Sequence, residues 1–595
     1  MKSMAYNPAA GLGGMLKSGS RSLEGVQAST LRNIDAAKQL STIASTSLGP
    51  NGMNKLVINH LGKIILTSDC ATIVRELEIE HPAARMLSLA SERQEGECGD
   101  GTNLAVTFAG ELLDASEGLI RMGLHTSEIV GGYRAAAQYM LEEALPACVC
   151  GALADAGDRA ALLRIVRPVL AGKQYGMEGV LAPLVVDACL GTMEPAAGGG
   201  APTFSVDDVR VCKVMGGSVA QSCVVRGMVF LRDAETSIKR KGGEEGDAAV
   251  QVVVFGCGVE ASGTEAKGTV LMKGADDLLS YNRSEEEKMD DIIKSIADSG
   301  ADVVVSGGTV SEMALHFIER YGMMCVKISS KWELRRLCRA TGASALVRLG
   351  PPTAEETGAC RSVRVREIGG RHCTVFDVAA PEAAGGRSRV STVLLRASTQ
   401  SVLNDLERAV DDAANAVRTA CCVDGRLVPG AGATEMAAAM RIKEFGDRCP
   451  GLDQYAIRAF GKALEVVPKI LAQNSGQDAT NVLAAHALGK HHTGGVISGE
   501  SEGASSTPQR PTSSTSTARK NRRCVSWWMW RSRCCAWTRL LWPSRLGRLE
   551  AGDDAANVRW WDASEISEGV TRGEVTRGVE GVVARAELLY ERSVL

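Results

Sequence analysis

Nowhere among the 595 residues do the roughly 18 successive apolar positions needed to cross a bilayer occur. The Ala/Gly-rich N-terminus also lacks the apolar stretch of a signal peptide. Both absences argue against a membrane and predict a cytoplasmic protein. Charge of one sign is also missing: 67 Lys and Arg face 70 Asp and Glu, a net charge of −3, which argues against a general nucleic-acid binder. With 45% hydrophobic residues the chain is not an acidic disordered polymer either. Eighteen cysteines are present, yet no C-x-x-C pair occurs. Cys148-Val149-Cys150 and Cys421-Cys422 have neither the spacing nor the companion histidines of a zinc site. Most of the others, such as Cys189 and Cys325, sit alone in apolar stretches, which predicts buried free thiols in a reducing compartment.

What is present is enough for about two to four compact units, at roughly one per 150 residues. From about 22 to 150 long amphipathic patterns predominate, broken by Leu48-Gly49-Pro50-Asn51-Gly52-Met53-Asn54-Lys55 and by an apolar strand at Ile64-Ile65-Leu66. Leu104, Phe108 and Leu112 recur at helical spacing and predict a helix over 103–116 with a core-facing stripe. Loops are expected over 195–203 and 235–247, separated by a strand at Val209-Arg210-Val211. Between 249 and 350 the runs at 252–254, 303–305 and 325–328 alternate with helical segments near 285–298, 310–320 and 332–340. That alternation predicts a parallel sheet covered by helices. After about 400 long helices return, so an α/β insert within a helical domain is expected.

The stretch Gly99-Asp100-Gly101-Thr102-Asn103 carries the most chemistry. Glycines allow close approach of backbone N–H groups to an anion, and a helix opening near Thr102 adds unpaired donors and the positive end of its dipole. An aspartate there repels bare phosphate but suits Mg²⁺, which binds one or two carboxylates together with substrate phosphates. Taken alone, the same five residues also describe an Asp-Gly turn capping a helix.

Leu48 to Lys55, Ser68-Asp69-Cys70-Ala71-Thr72-Ile73, Gly99 to Asn103, Glu407-Arg408-Ala409-Val410-Asp411-Asp412-Ala413 and Val428-Pro429-Gly430-Ala431-Gly432-Ala433-Thr434-Glu435 occur in the order and spacing of the group II chaperonins. The chain resembles that family, the T-complex chaperonins, over roughly residues 20–495. Ile58-Asn59-His60 and Lys173-Gln174-Tyr175-Gly176 follow the wording of one subunit type of the eukaryotic cytosolic chaperonin. The resemblance implies a multidomain chaperonin fold. An α-helical equatorial domain comes from both chain ends (1–154 and 414–500), a small α/β intermediate domain from 155–208 and 373–413, and an inserted α/β apical domain from 209–372, with a protrusion near 259–281. It also implies ATP and Mg²⁺ as cofactors, other chaperonin subunits in a hetero-oligomeric double ring as partners, and non-native polypeptides as substrates, with no nucleic acid and no membrane involved.

By the family's pattern Asp100 is the metal ligand, and Gly101, Thr102, Asn103 and Leu104 hold phosphates. Leu48, Gly49, Pro50 and Gly432 line the nucleotide, and Gly172 and Lys173 belong to the segment that senses it. Asp69 and Asp412 match the carboxylates that position and activate the attacking water, since phosphoryl transfer needs placement and charge management above all. On a helical wheel, however, Leu403, Leu406, Val410 and Val417 form one stripe, and Asp412 lies opposite beside Asp405 and Arg408. Read alone, that is a solvated face. A catalytic Asp412 requires the face to look into a cleft. Lys55 is expected to support its loop. Apical contacts to clients are expected from Arg335, Arg336 and Arg339, beside Trp332, and from Val270-Leu271-Met272 on the protrusion.

Four residues depart from the family's pattern: Cys70 for glycine, Ala431 within a triple glycine, Asn103 for threonine and Gly172 for serine. An alanine at 431 either crowds the nucleotide or resists a positive φ. Beyond 500 the texture changes: 501–520 is Ser/Thr/Pro-rich, and seven of the eight tryptophans fall between Trp527 and Trp561. Residues 501–595 therefore read as an atypical tail of the composition a shifted reading frame produces. The functional expectation is an ATPase that binds and folds non-native polypeptides; the alternative is a chaperonin-like scaffold without ATPase activity.

Overall fold

The structure, a computed structural model, describes residues 26–59, 61–153, 155–194, 202–243, 249–260, 275–378, 389–488 and 527–529. All lie within the first of two compact units, Met1–Leu541. The expected protrusion contacts 270–272 and almost all of the tail fall outside the described residues.

A first helical group comprises α1 (Val26–Ser45), the hairpin β1 (Lys55–Ile58) and β2 (Ile64–Thr67), α2 (Cys70–Glu76), α3 (Pro82–Cys98), α4 (Thr102–Arg121) and α5 (Thr126–Tyr139). The predicted stripe holds: Leu104, Phe108 and Leu112 are all buried on α4. Phe108 and Leu112 pack with α5 and with helices from the far end of the chain, α12 (Ala433–Arg448) and α13 (Asp453–Leu464), where Phe460 stands edge-on to Phe108. Phe108 and Phe460 are among the largest fully buried side chains. Burial of each such ring stabilises by about 1.5–3 kcal/mol, which is how two distant stretches of chain become one helical layer.

Between them come β3 (Gly151–Ala152), α6 (Arg159–Lys173), α7 (Glu178–Thr192), β4 (Val209–Met215), β5 (Cys223–Phe230) and β6 (Arg240–Gly242). The expected loop over 235–247 thus contains a strand: β6 pairs with β12 (Ser362–Ile368). It is a three-residue edge strand of Arg, Lys and Gly with no hydrophobic period to betray it. A six-stranded sheet runs β4-β14-β5-β13-β12-β6, with β13 at Arg371–Asp377 and β14 at Ser391–Ala397, and only β4 and β14 are parallel.

The expected parallel sheet forms from β7 (Val250–Phe255), β8 (Val303–Ser306) and β9 (Met324–Lys327), with β10 (Ala345–Leu346) and β11 (Gly358–Cys360) against β7. Its strands read as unbroken apolar runs because both faces are covered. Val252, Val254, Val303 and Val305 face α10 (Lys331–Thr341) through Leu334 and Leu337. Val253, Phe255 and Val304 face α8 (Ala275–Asp298) and α9 (Glu312–Arg320). Helix α8 starts ten residues before the sequence pattern suggests.

Helix α11 (Gln400–Arg418) buries Leu403, Leu406, Val410 and Val417 against α6, α7, β4 and β14. Beyond it lie β15 (Arg426–Pro429), α12, α13, α14 (Val466–Asn474), α15 (Ala479–Leu488) and β16 (Trp527–Met529), whose backbone pairs with β15. Fifteen cysteines among the described residues are free thiols, distributed over almost every hydrophobic cluster.

Candidate functional site

Three segments distant in sequence converge on one ammonium. Asp69 is the N-cap of α2, and one carboxylate oxygen accepts from the Thr72 N–H at 3.0 Å and the Thr72 hydroxyl at 2.7 Å. Its other oxygen accepts from Lys173 Nζ at 2.6 Å. Lys173 is the last residue of α6, and the same ammonium lies 3.0 Å from Asp412 Oδ2 on α11. Asp412 is buried, so the acidic face of α11 is not the solvated surface its helical wheel suggests; it closes onto Lys173.

One lysine faces more negative charge than it can balance. Burial opposes the ammonium, but Asp412, Asp69 and Asp100 together outweigh it and raise the Lys173 pKa well above its usual value. Burial also opposes the Asp69 carboxylate, yet the charge of Lys173 and hydrogen bonds from Lys173 and Thr72 hold its pKa well below the carboxylate range. Asp412 fares differently: burial, aided by repulsion from Asp69 and Asp100, lifts its pKa well above the ordinary value despite Lys173. The two carboxylates share a partner but not a hydrogen-bond set. Asp69 has three donors, while among the described residues Asp412 Oδ2 meets the Lys173 ammonium alone. Asp100 is also raised, by burial, against the opposing effects of Lys173 and the Gly101 N–H.

Asp100 sits between two left-handed glycines. Gly99 ends α3 at φ 75° and Gly101 opens α4 at φ 86°, and Asp100 Oδ1 accepts the Gly101 N–H at 2.7 Å. A methyl group on Gly99 would lie 2.5 Å from Asn415 Cβ on α11, so only glycine lets this loop approach the Asp412 helix. Gly432 opens α12 in the same way, at φ 83°. Neither helix has a side-chain cap, leaving both N-termini to offer backbone donors to an anion.

Sequence reasoning missed what joins these loops, the short helix α14. A Cβ on Gly432 would meet Pro468 at 2.8 Å, and one on Gly49 would meet Leu471 at 2.6 Å. Leu104 packs on Val466, Val467 and Ile470 beside Leu48. Asn474 Nδ2 donates to the carbonyls of Ser45 and Leu48 at 3.0 and 2.8 Å. Leu48, Gly49, Leu104 and Gly432 therefore gather over one helix, with Pro50 and with Gly101, Thr102 and Asn103 adjoining them in the chain. Asn103 Nδ2 donates to the Ser47 carbonyl at 3.1 Å, and its buried Oδ1 has no hydrogen-bond partner in the structure.

The departures resolve physically. Ala431 adopts φ 56°, the one non-glycine with positive φ among the described residues. A side chain at Gly172 would meet nothing within 4 Å, so the missing hydroxyl leaves space. The buried Cys70 thiol is pushed up to about 12, by burial and then by Asp69, and is inert as a nucleophile.

The donor set suits a hard cation supplied with phosphate oxygens. Asp100 at a glycine loop and Asp412, whose Oδ2 has Lys173 beside it, supply carboxylate oxygens in a pocket short of positive charge. Among the described residues no three His, Cys, Asp or Glu side chains form a metal site by themselves. Mg²⁺ needs no such cage, because phosphates and water complete its shell.

The three arginines lie apart from this site. Arg339 is 2.9 Å from Asp208 and Arg336 is 3.8 Å from Asp207, while Arg335 and Trp332 are exposed. Among the described residues no helix is long and apolar enough to cross a membrane.

Residues 40–505 match the TCP-1/cpn60 chaperonin family. The chain is 49% identical to T-complex protein 1 subunit theta of Arabidopsis thaliana over 477 residues, covering 80% of this chain and 84% of the relative. It is 44% identical to the subunit of that name from Homo sapiens over 499 residues (83% and 87% covered) and 45% identical to that of Saccharomyces cerevisiae over 489 residues (81% and 84%). A family match over residues 40–505 and relatives of 44–49% identity show that the chain belongs to the TCP-1/cpn60 chaperonin family.

Proposed function

We propose that the chain is a theta-type subunit of a cytoplasmic, hetero-oligomeric chaperonin double ring that hydrolyses ATP to drive the folding of non-native polypeptides. The observation that carries the ATPase reading is the buried cluster in which Lys173 meets Asp69 and Asp412, beside two uncapped helix N-termini. In this reading the equatorial, intermediate and apical divisions follow the boundaries expected from the family, with residues 501–595 as an atypical tail.

The N–H groups of Thr102, Asn103 and Leu104 at α4, which Gly101 lets a phosphate approach, and those after Ala433 at α12, beside Gly432, hold phosphates. Leu48, Gly49 and Pro50 cover the nucleotide, on the floor that α14 supplies. Asp100 holds Mg²⁺, which when bound neutralises phosphate charge and adds the positive charge the pocket lacks. Asp412 Oδ2, with acceptor capacity to spare and an affinity for protons raised by burial, takes the proton of the attacking water as its oxygen bonds to the γ-phosphorus and the bond to the ADP oxygen breaks. Asp69 stays anionic and orients that water and Lys173. Lys173, preceded by Gly172, reports the charge state of the site to α6.

Client polypeptides meet Arg335 and Trp332 on α10, which are exposed, and Arg336 and Arg339 once their partners Asp207 and Asp208 let go. Non-native chains offer the apolar and acidic segments this mixed surface suits. The test is nucleotide occupancy of this subunit in purified ring, read with Mg-ATP against Asp100→Ala. The variant is expected to lose Mg²⁺-dependent occupancy. Unchanged occupancy would overturn the metal assignment, and absence of occupancy in the unaltered subunit would favour the scaffold reading.

A further inference from the structure

One half-buried carboxylate outside the assigned set bonds to residues beside both Asp69 and Lys173. Asp405 lies on α11 seven residues before Asp412, two helical turns along the same face. Its side chain is 13% exposed. Oδ1 accepts the Thr67 hydroxyl at 2.9 Å and Oδ2 accepts Gln174 Nε2, while Arg408 stands 3.7 Å away one turn on. Neither partner is incidental. The Thr67 oxygen in turn accepts the backbone N–H of Asp69 at 3.1 Å, and Gln174 directly follows Lys173.

The consequences follow from geometry. Asp412 meets the cluster through one contact, its 3.0 Å ion pair with Lys173. Asp405 accepts two aligned hydrogen bonds, one from the turn that carries Asp69 and one from the end of the helix that carries Lys173. A carboxylate is the group that accepts on both sides; an amide accepts on one and donates on the other. Hydrogen bonds to a charged acceptor are also the stronger kind, about 1.5–3 kcal/mol each. Resting on the ATP-hydrolysing reading above, we infer that Asp405 is a positioning residue that sets the register of α11 against the Asp69 turn and Lys173, and so governs the hydrolytic step rather than nucleotide binding. Asp405 touches neither the loops around Gly101 and Gly432 nor α14, so its effect falls on the rate.

The inference has a reciprocal test. Asp405→Asn leaves an amide N–H₂ facing one of two donors, and Gln174→Glu sets two carboxylates against each other. Combined, the Asn oxygen accepts the Thr67 hydroxyl and its N–H₂ donates to the new glutamate, so both bonds and the net charge return. Ring containing the full-length chain is loaded with photoreactive 8-azido-ATP labelled at the α or the γ phosphate, crosslinked at intervals, and this subunit's band is counted. The α label reads binding in this subunit alone, and decay of γ relative to α reads hydrolysis. Each single variant is expected to keep its α label within about twofold and to slow γ decay by up to about 100-fold, the scale of an ångström-size misplacement. The double variant recovers most of the rate. Thr67→Val behaves like Asp405→Asn and Thr67→Ser like the unaltered chain, which covers the case of a single variant that does not assemble. Equal loss of both labels in the single variants, or no recovery in the double, would overturn the positioning role. No α label on the unaltered subunit would overturn the ATP-site reading beneath it.

Discussion

Replacing Lys173 by methionine keeps the bulk of the side chain and removes the only ammonium among the described residues in direct contact with Asp69 and Asp412. Breaking a buried pair by deleting one partner costs about 3–5 kcal/mol, because the other charge remains in a poor solvent. The pH dependence carries the sharper signature. In the unaltered chain the Asp69 pKa is lowered, so its contribution is present above the unfolded value of about 3.9 and is lost as pH falls through the lower folded value. Burial is the largest influence on Asp69, Asp100 and Asp412, and Lys173 is the main charge opposing it. Without Lys173 the Asp69 pKa moves up rather than down. A raised carboxyl stabilises below the unfolded pKa, and that stability is lost as pH rises through the raised folded value. Asp100 and Asp412 are raised already and contribute to both proteins. The penalty of Lys173→Met should therefore grow with pH, by about 1.4 kcal/mol per unit while Asp69 retains its proton in the folded variant. Hydrogen exchange of the α2 amides, corrected for intrinsic rates at pH 5.5 and 7.5, reads the local opening free energy. A smaller penalty at pH 5.5 is expected; an equal or larger one would refute the charge-imbalance account.

Two further outcomes follow from the loops. Ala431→Gly relieves a left-handed alanine, worth roughly 1–2 kcal/mol, less about 0.4–1 kcal/mol for the freer unfolded chain. Amide exchange over 428–434 should slow about twofold to fivefold, and faster exchange would show that residue 431 bears no strain. Asn474→Ala removes both bonds to the Ser45 and Leu48 carbonyls, at about 1–3 kcal/mol. Nucleotide affinity should fall by about fivefold or more while hydrolysis of what is bound proceeds unchanged, and unaltered affinity would show that α14 does not hold that loop.

How much was legible depended on range. The stripe on α4 and the apolar runs of β7, β8 and β9 were readable because period and composition report burial directly. The environment of Asp412 was not, since a wheel shows which residues share a face and never what the face meets. Seven-residue spacing does place Asp405 with Asp412, but its partners Thr67 and Gln174 lie 338 and 231 residues away. Helix α14 escaped for the same reason: Asn474 reaches Leu48 across 426 residues, and no local pattern encodes that bond. Strand β6 gave no signal because edge strands of charged residues resemble loops.

The scattered cysteines have one more consequence. Nearly every hydrophobic cluster holds its own buried thiol: Cys189 beside α11, Cys360 and Cys325 on the two sides of the parallel sheet, Cys70 under α1, and Cys212 with Cys373 in the six-stranded sheet. Burial pushes Cys70, Cys212, Cys325 and Cys360 up to about 12, so these sulfurs are silent towards alkylating reagents while packing is intact. Each layer of the molecule thus has an internal tell-tale, and pulse alkylation followed by peptide mapping would show which layer loosens first as a nucleotide cycle proceeds.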